Sequence, residues 1–163
     1  MKKIALFAVA LLMSVAANAQ FEQGKAFIGA SMSGFDIGSQ AKDFHLGFDA
    51  KVGYLFADNL MPTLQIGYNH LGDTGDTFNL GVGGRYYIEQ NGLFLGASVK
   101  YKHANSYNDV LPGVQVGYAF FISRTVTFEP ELYMDFSTKK FDYSCYGLRL
   151  GIGVYLFSDQ RKN

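Results

Sequence analysis

The chain has one cysteine, three prolines and no tryptophan among its 163 residues, and it carries no surplus of charge of either sign. A lone Cys145 has no partner within the chain, so the fold is not a disulfide scaffold, and the residue reads as a small side chain near a strand end. Fourteen Lys+Arg stand against fourteen Asp+Glu. That balance excludes the basic surface a nucleic-acid partner requires. Past the first twenty residues no stretch reaches the 18 or so apolar residues of a membrane helix. What the chain has in quantity is glycine (19), phenylalanine (15) and tyrosine (11).

The start of the chain has its own layout. Lys2 and Lys3 precede an apolar run from Ile4 to Val15, and small residues follow, ending Ala17-Asn18-Ala19. This is the three-part pattern of a secretory signal peptide with cleavage before Gln20. The expected division is therefore a signal peptide at 1–19 and a single domain at 20–163. Losing the two lysines leaves a net charge of about −2. No cysteine follows the cleavage point, so no lipid anchor is expected at that terminus.

The rest of the chain alternates with a period of two. In the last segment, Ser144 to Phe157, Tyr146, Leu148, Leu150, Ile152, Val154 and Leu156 fall on one face, and Cys145, Gly147, Arg149, Gly151, Gly153, Tyr155 and Phe157 on the other. Such alternation is a strand signal, and its 14 residues are enough for the 9 to 11 tilted residues that cross a bilayer as a strand. Seven further segments follow the same rule: 25–35, 43–56, 60–71, 77–88, 93–103, 110–122 and 126–137. Short turns are expected at Asp58-Asn59, Gln90-Asn91-Gly92 and Ser123-Arg124-Thr125, and loops at about 36–42, 72–76, 104–109 and 138–143. Pro130, inside the seventh segment, predicts a bulge, because proline cannot donate to a ladder paired on both sides.

The polar face decides which side is outside. About twelve glycines, Gly47, Gly81, Gly117 and Gly153 among them, share it with Asp49, Lys51, Arg85, Lys100, Lys102, Glu129, Glu131, Asp135 and Arg149 and with Gln65, Asn69, Asn79 and Gln115. Small residues beside long charged ones fit a crowded interior, since an eight-stranded barrel has room only for side chains. The apolar face is almost free of charge, as hydrocarbon demands. The predicted fold is all-β: an eight-stranded antiparallel up-and-down transmembrane β-barrel with a polar lumen. Buried charges must pair, so a structural salt-bridge network is expected across the lumen among Lys51, Arg85, Lys100, Glu129, Glu131 and Arg149. Tyr54, Tyr86 and Phe128 near one end, and Tyr68, Tyr101 and Tyr146 near the other, are candidate interfacial girdles.

The signal, the alternating strands and the terminal GLRLGIGVYLF make the chain resemble the small outer-membrane β-barrel proteins of Gram-negative bacteria, of the OmpA-transmembrane-domain and OmpX type. That resemblance implies residence in the outer membrane among lipid and recognition by the barrel-assembly machinery through the terminal strand, where Tyr155 and Phe157 stand. A monomer without cofactor is expected, and the three histidines, spread over separate strands, give no metal site. The expected role is non-enzymatic, either structural in the envelope or adhesive toward a host or surface protein through the outer loops. A small pore is the alternative. Catalysis of the lipid-modifying kind would draw on His70, His103, Ser106 or Asp73, which no spacing forces together. His45, beside Asp43, reads as a satisfied polar-face residue rather than a metal ligand. A soluble lipocalin-like carrier would need the two faces reversed.

Overall fold

Residues 21–36, 46–71, 75–88, 91–104, 107–139 and 144–156 are described by the computed structural model. Within them the alternating segments form nine strands: β1 (Ala26–Asp36), β2 (Leu46–Tyr54), β3 (Leu60–Leu71), β4 (Gly75–Tyr87), β5 (Leu93–Ala104), β6 (Tyr107–Tyr118), β7 (Phe120–Phe121), β8 (Val126–Asp135) and β9 (Cys145–Leu156). All pair antiparallel in one sheet. β1 pairs with β9 as well as β2, and β6 pairs with β8 as well as β5, so the sheet closes. β7 continues the line of β6 beyond Ala119, which makes eight staves from nine segments. Strands of about 12 residues, rising about 3.3 Å each and tilted by about 40°, give a wall of roughly 30 Å. The apolar band of such barrels is about 25 Å tall.

The faces are inverted relative to a protein that folds in water. Leu64 and Val82 are 55% and 56% exposed, and Ile28, Phe48, Ile66, Leu80, Leu132 and Ile152 lie in the same outward set. Lys51, Arg85, Glu129, Glu131 and Arg149 are all at 5% or below. Period-two alternation on a closed sheet allows no intermediate arrangement. The six girdle residues face outward. Phe48, Tyr68 and Phe78, paired in register across β2, β3 and β4, add an aromatic row at the end opposite Ala26 and Leu156.

Three expectations about the wall need correction. The loops predicted at 72–76 and 104–109 are shorter: β3 runs to Leu71 and β4 resumes at Gly75, while β5 reaches Ala104 and β6 starts at Tyr107. Pro130 makes no bulge. β8 keeps constant register with β9 from Val126↔Val154 to Asp135↔Cys145, and constant register with β6 and β7 on its other side. The missing donor instead leaves a gap in the ladder at Tyr118 and Ala119, where the sixth predicted strand is interrupted. The single register shift between named strands lies between Ser33 and Phe35 of β1, toward the outer end.

The turn end is built as the turn signals require. Asn59 and Gly92 take positive φ, 64° and 90°, in the two hairpins that carry Asp58-Asn59 and Asn91-Gly92. Ala26 pairs with Leu156, so the first and last strands end on this same side. In bacterial barrels the short turns face the periplasm.

Candidate functional site: the lumen

β8 places Glu129 and Glu131 two residues apart, hence both inward. Arg85, from β4 on the opposite wall, spans them: Nη1 donates to Glu129 Oε2 at 2.7 Å and Nη2 to Glu131 Oε2 at 2.8 Å. Arg149 Nη1 donates to Glu131 Oε1 at 2.5 Å, and its Nε lies 3.2 Å from Asp49 Oδ2. Lys51 Nζ reaches Glu131 Oε2 at 3.4 Å, and Thr127 Oγ1 donates to Glu129 Oε1 at 2.8 Å. Glu131 therefore serves three cations. Three bases and three acids meet with no net charge, which is the condition under which buried ions are tolerated.

Five of the six residues expected in a network, Lys51, Arg85, Glu129, Glu131 and Arg149, lie in this cluster. Lys100 stands apart from it, paired with Asp135 at 2.5 Å. Aromatic rings pack against both guanidinium groups, whose Nε atoms are buried without a hydrogen-bond partner among the described residues. The Arg85 guanidinium sits 4.2 Å from the Phe94 ring centroid, and that of Arg149 sits 4.2 Å from Tyr133, within cation–π range. Glycine makes the room: a Cβ on Gly153 would meet Thr127 Oγ1 at 2.6 Å and Glu129 Oε1 at 2.8 Å. The space left among Phe27, Ser31, Lys51, Arg85, Glu131 and Arg149 is about 10 Å³. That is about enough for one water molecule.

Toward the turn end the lumen changes character. Phe21, Phe27, Leu55, Met61, Tyr87, Phe94 and Tyr155 are buried to 2% or less and form one apolar cluster. Phe21, ahead of the first strand, stacks on Tyr87 with centroids 3.8 Å apart and meets Tyr155 edge-on at 5.6 Å. Its segment is pinned to the β2–β3 turn: Asn59 N donates to Phe21 O at 2.9 Å, and Gln23 N donates to Asp58 Oδ1 at 2.9 Å. The Tyr87 and Tyr155 hydroxyls lie 2.6 Å apart, and Tyr155 donates to Glu129 Oε1 at 3.2 Å, which joins cap to cluster. Lys25, buried just ahead of β1, has its pKa lowered by burial, with Glu22 opposing the shift.

With a closed, outwardly apolar barrel in view, the sequence comparison decides the family. The outer membrane protein beta-barrel domain family matches residues 5–159. The chain belongs to that family. It is accordingly an outer-membrane β-barrel of bacteria. Solved barrels share the fold at low identity. The N-terminal β-barrel domain of Pseudomonas aeruginosa OprF superposes with a TM-score of 0.63 and 14% identity over 82% of this chain and 98% of that one. Neisserial surface protein A gives 0.64 and 12% over 81% and 97%. The attachment invasion locus protein of Yersinia pestis, in complex with the heparin analogue sucrose octasulfate, gives 0.55 and 14% over 82% and 99%. No curated protein matches the sequence.

Of the residues weighed for catalysis, His103 is described with its side chain, near the outer end of β5. His103 Nδ1 lies 2.6 Å from Asn108 Oδ1, its partner in register across β5 and β6. The backbone of His70 pairs with Leu46 and Asp76, and its side chain lies outside the described set. His45, Asp73 and Ser106 also lie outside the described residues, as do Phe157 and the signal-like segment at 1–19. Among the described residues no group of three or more His, Cys, Asp and Glu is placed to hold a metal ion. Cys145 is half-buried opposite Asp135.

The aromatic cap is what the sequence reading missed. Its signal was present: Phe27, Tyr87, Phe94 and Tyr155 interrupt the small and polar face of their strands within about two residues of a turn or terminus. Phe21 had no comparable signal, because it precedes the first strand.

Proposed function

We propose that this protein is a non-enzymatic outer-membrane barrel with a closed lumen, acting structurally in the envelope or by contact through its outer rim. The observation that carries this reading is the filled interior, an ion-pair cluster with about 10 Å³ to spare above an apolar cap. A solute path would need Arg85 to leave both carboxylates and the cap to part. The outer rim is where contact belongs, because the wall faces lipid and the turn end is closed. The Yersinia attachment protein, which shares the fold, is seen with a heparin analogue. That supports testing sulfated glycans against the segments at 37–45 and 140–143. The amino-terminal 19 residues serve as the export signal, and the terminal strand addresses the assembly machinery.

The experiment is reconstitution of the purified barrel into planar bilayers, paired with exchange of the two outer segments in whole cells. Bilayers without conductance steps, and loss of glycan or host-cell binding on exchange, are the expected results. Stepwise conductance from a folded barrel would replace this reading with that of a small pore.

A further inference from the structure

Among the described residues, every joint between neighbouring staves but one holds an unbroken ladder of at least eight paired residues. The exception lies between β6/β7 and β8. There Gly113–Gly117 pair with Asp135–Glu131, and after a gap Phe120 and Phe121 pair with Phe128 and Thr127. Two of the chain's three prolines bound the five-residue block. Phe136 N donates to Pro112 O at 2.8 Å, so Pro112 turns its backbone toward β8, where its missing N–H would have answered Phe136. In an antiparallel ladder such hydrogen-bonded pairs recur at every second residue. Constant register then makes Tyr118 and Pro130 such a pair, and Ile122 N does bond Val126 O at 2.9 Å four residues further on. The donor missing at Pro130 is therefore aimed at Tyr118.

On the lipid side the same joint lies under an apolar groove of about 470 Å³ lined by Val114, Val116, Leu132, Met134, Tyr146 and Leu148. On the lumen side the Lys100–Asp135 pair crosses from β5 to β8 over Gly113. In hydrocarbon every backbone group left unpaired costs free energy, and this joint has the shortest unbroken ladder, continued past Pro112 by the single bonds Phe136 N–Pro112 O and Thr138 N–Val110 O at 3.3 Å. We propose that this barrel opens first between β6/β7 and β8, at the stretch bounded by Pro112 and Pro130, rather than at the β1–β9 seam where the first and last strands pair.

The direct test is hydrogen exchange on the unaltered barrel in lipid or micelles. Amides of Val114, Val116, Leu132 and Met134, which bond across this joint, are expected to exchange ahead of those of Ile28, Ala30 and Met32, which bond across β1–β9, and the reverse order overturns the proposal. A kinetic test uses cross-linked cysteine pairs in a C145S background. V116C/L132C joins β6 to β8, and I28C/V154C joins β1 to β9, each at partners in register. Chain entropy alone favours the second link, which closes the much longer loop. The expected result is the opposite, with unfolding slowed at least tenfold by the first link and no more than about twofold by the second. An equal or larger effect at the β1–β9 seam overturns the proposal. P130V, which restores a donor without a cross-link, is expected to slow unfolding several-fold, and an unchanged rate counts against the role given to the proline.

Discussion

The two halves of the described lumen solve the same packing problem with opposite chemistry. In the middle, Arg85, Arg149 and Lys51 are held by Glu129, Glu131 and Asp49. At the turn end, Phe21, Phe27, Tyr87, Phe94 and Tyr155 fill the same cross-section with rings. Both regions are buried, apart from Asp49, which is half-buried at the edge of the cluster. They differ in what a single deletion leaves behind. An ion taken from the cluster leaves buried charge uncompensated in a site with room for about one water, whereas a ring taken from the cap leaves a cavity.

That difference orders the predictions. The largest effect belongs to E131A, which takes away the carboxylate shared by three buried cations, leaving Arg85 with Glu129 and Arg149 with Asp49 but Lys51 without its counter-charge, and is expected to cost about 4 kcal/mol, within the range for breaking a buried pair. A guanidinium titration of the barrel in micelles measures it. F21A removes only packing and is expected to cost about 3 kcal/mol, the lower end for a buried phenylalanine. If F21A proves the more damaging of the two, the cap rather than the cluster dominates stability. Placing a guanidinium on the opposite face sharpens the contrast. L64R, on the exposed apolar face near mid-strand, is expected to cost about 2 kcal/mol and to lower the temperature at which the compact band on an unboiled gel is lost. The smallest effect is expected for Q65L. Gln65 Nε2 is buried without a partner among the described residues, so replacing the amide should change stability by no more than about 1 kcal/mol, in the stabilising direction.

Much of the wall was legible because a period of two is a local property that each strand states for itself. The boundaries of β3 came out as read, Leu60 to Leu71. Glycines that make room were legible too, because Gly153, Gly117 and Gly81 share a face with long side chains. What sits where inside the lumen was less legible. Lys100 is indistinguishable from Lys51 by pattern, yet it meets Asp135 instead of the Glu131 cluster. Pro130 was rightly singled out as a ladder defect, but its consequence was misplaced. A missing donor weakens the neighbouring pairing without inserting a residue, so the register survives and the gap falls on the adjacent stave.

The amino-acid sequence by itself determined that the wall is β, which residues face lipid and which face inward, and that the inward charges balance. Alternation and composition carry that information within each strand. The closed sheet decided which charges meet. Arg85 lies 44 and 46 residues from its two carboxylates, and only the tilt and stagger of the strands bring β4 and β8 face to face across the lumen. It also decided that Phe21, outside any strand, would seat on Tyr87 and close the turn end. No local pattern specifies that contact, because it depends on a mouth that exists only once the first and last strands have paired.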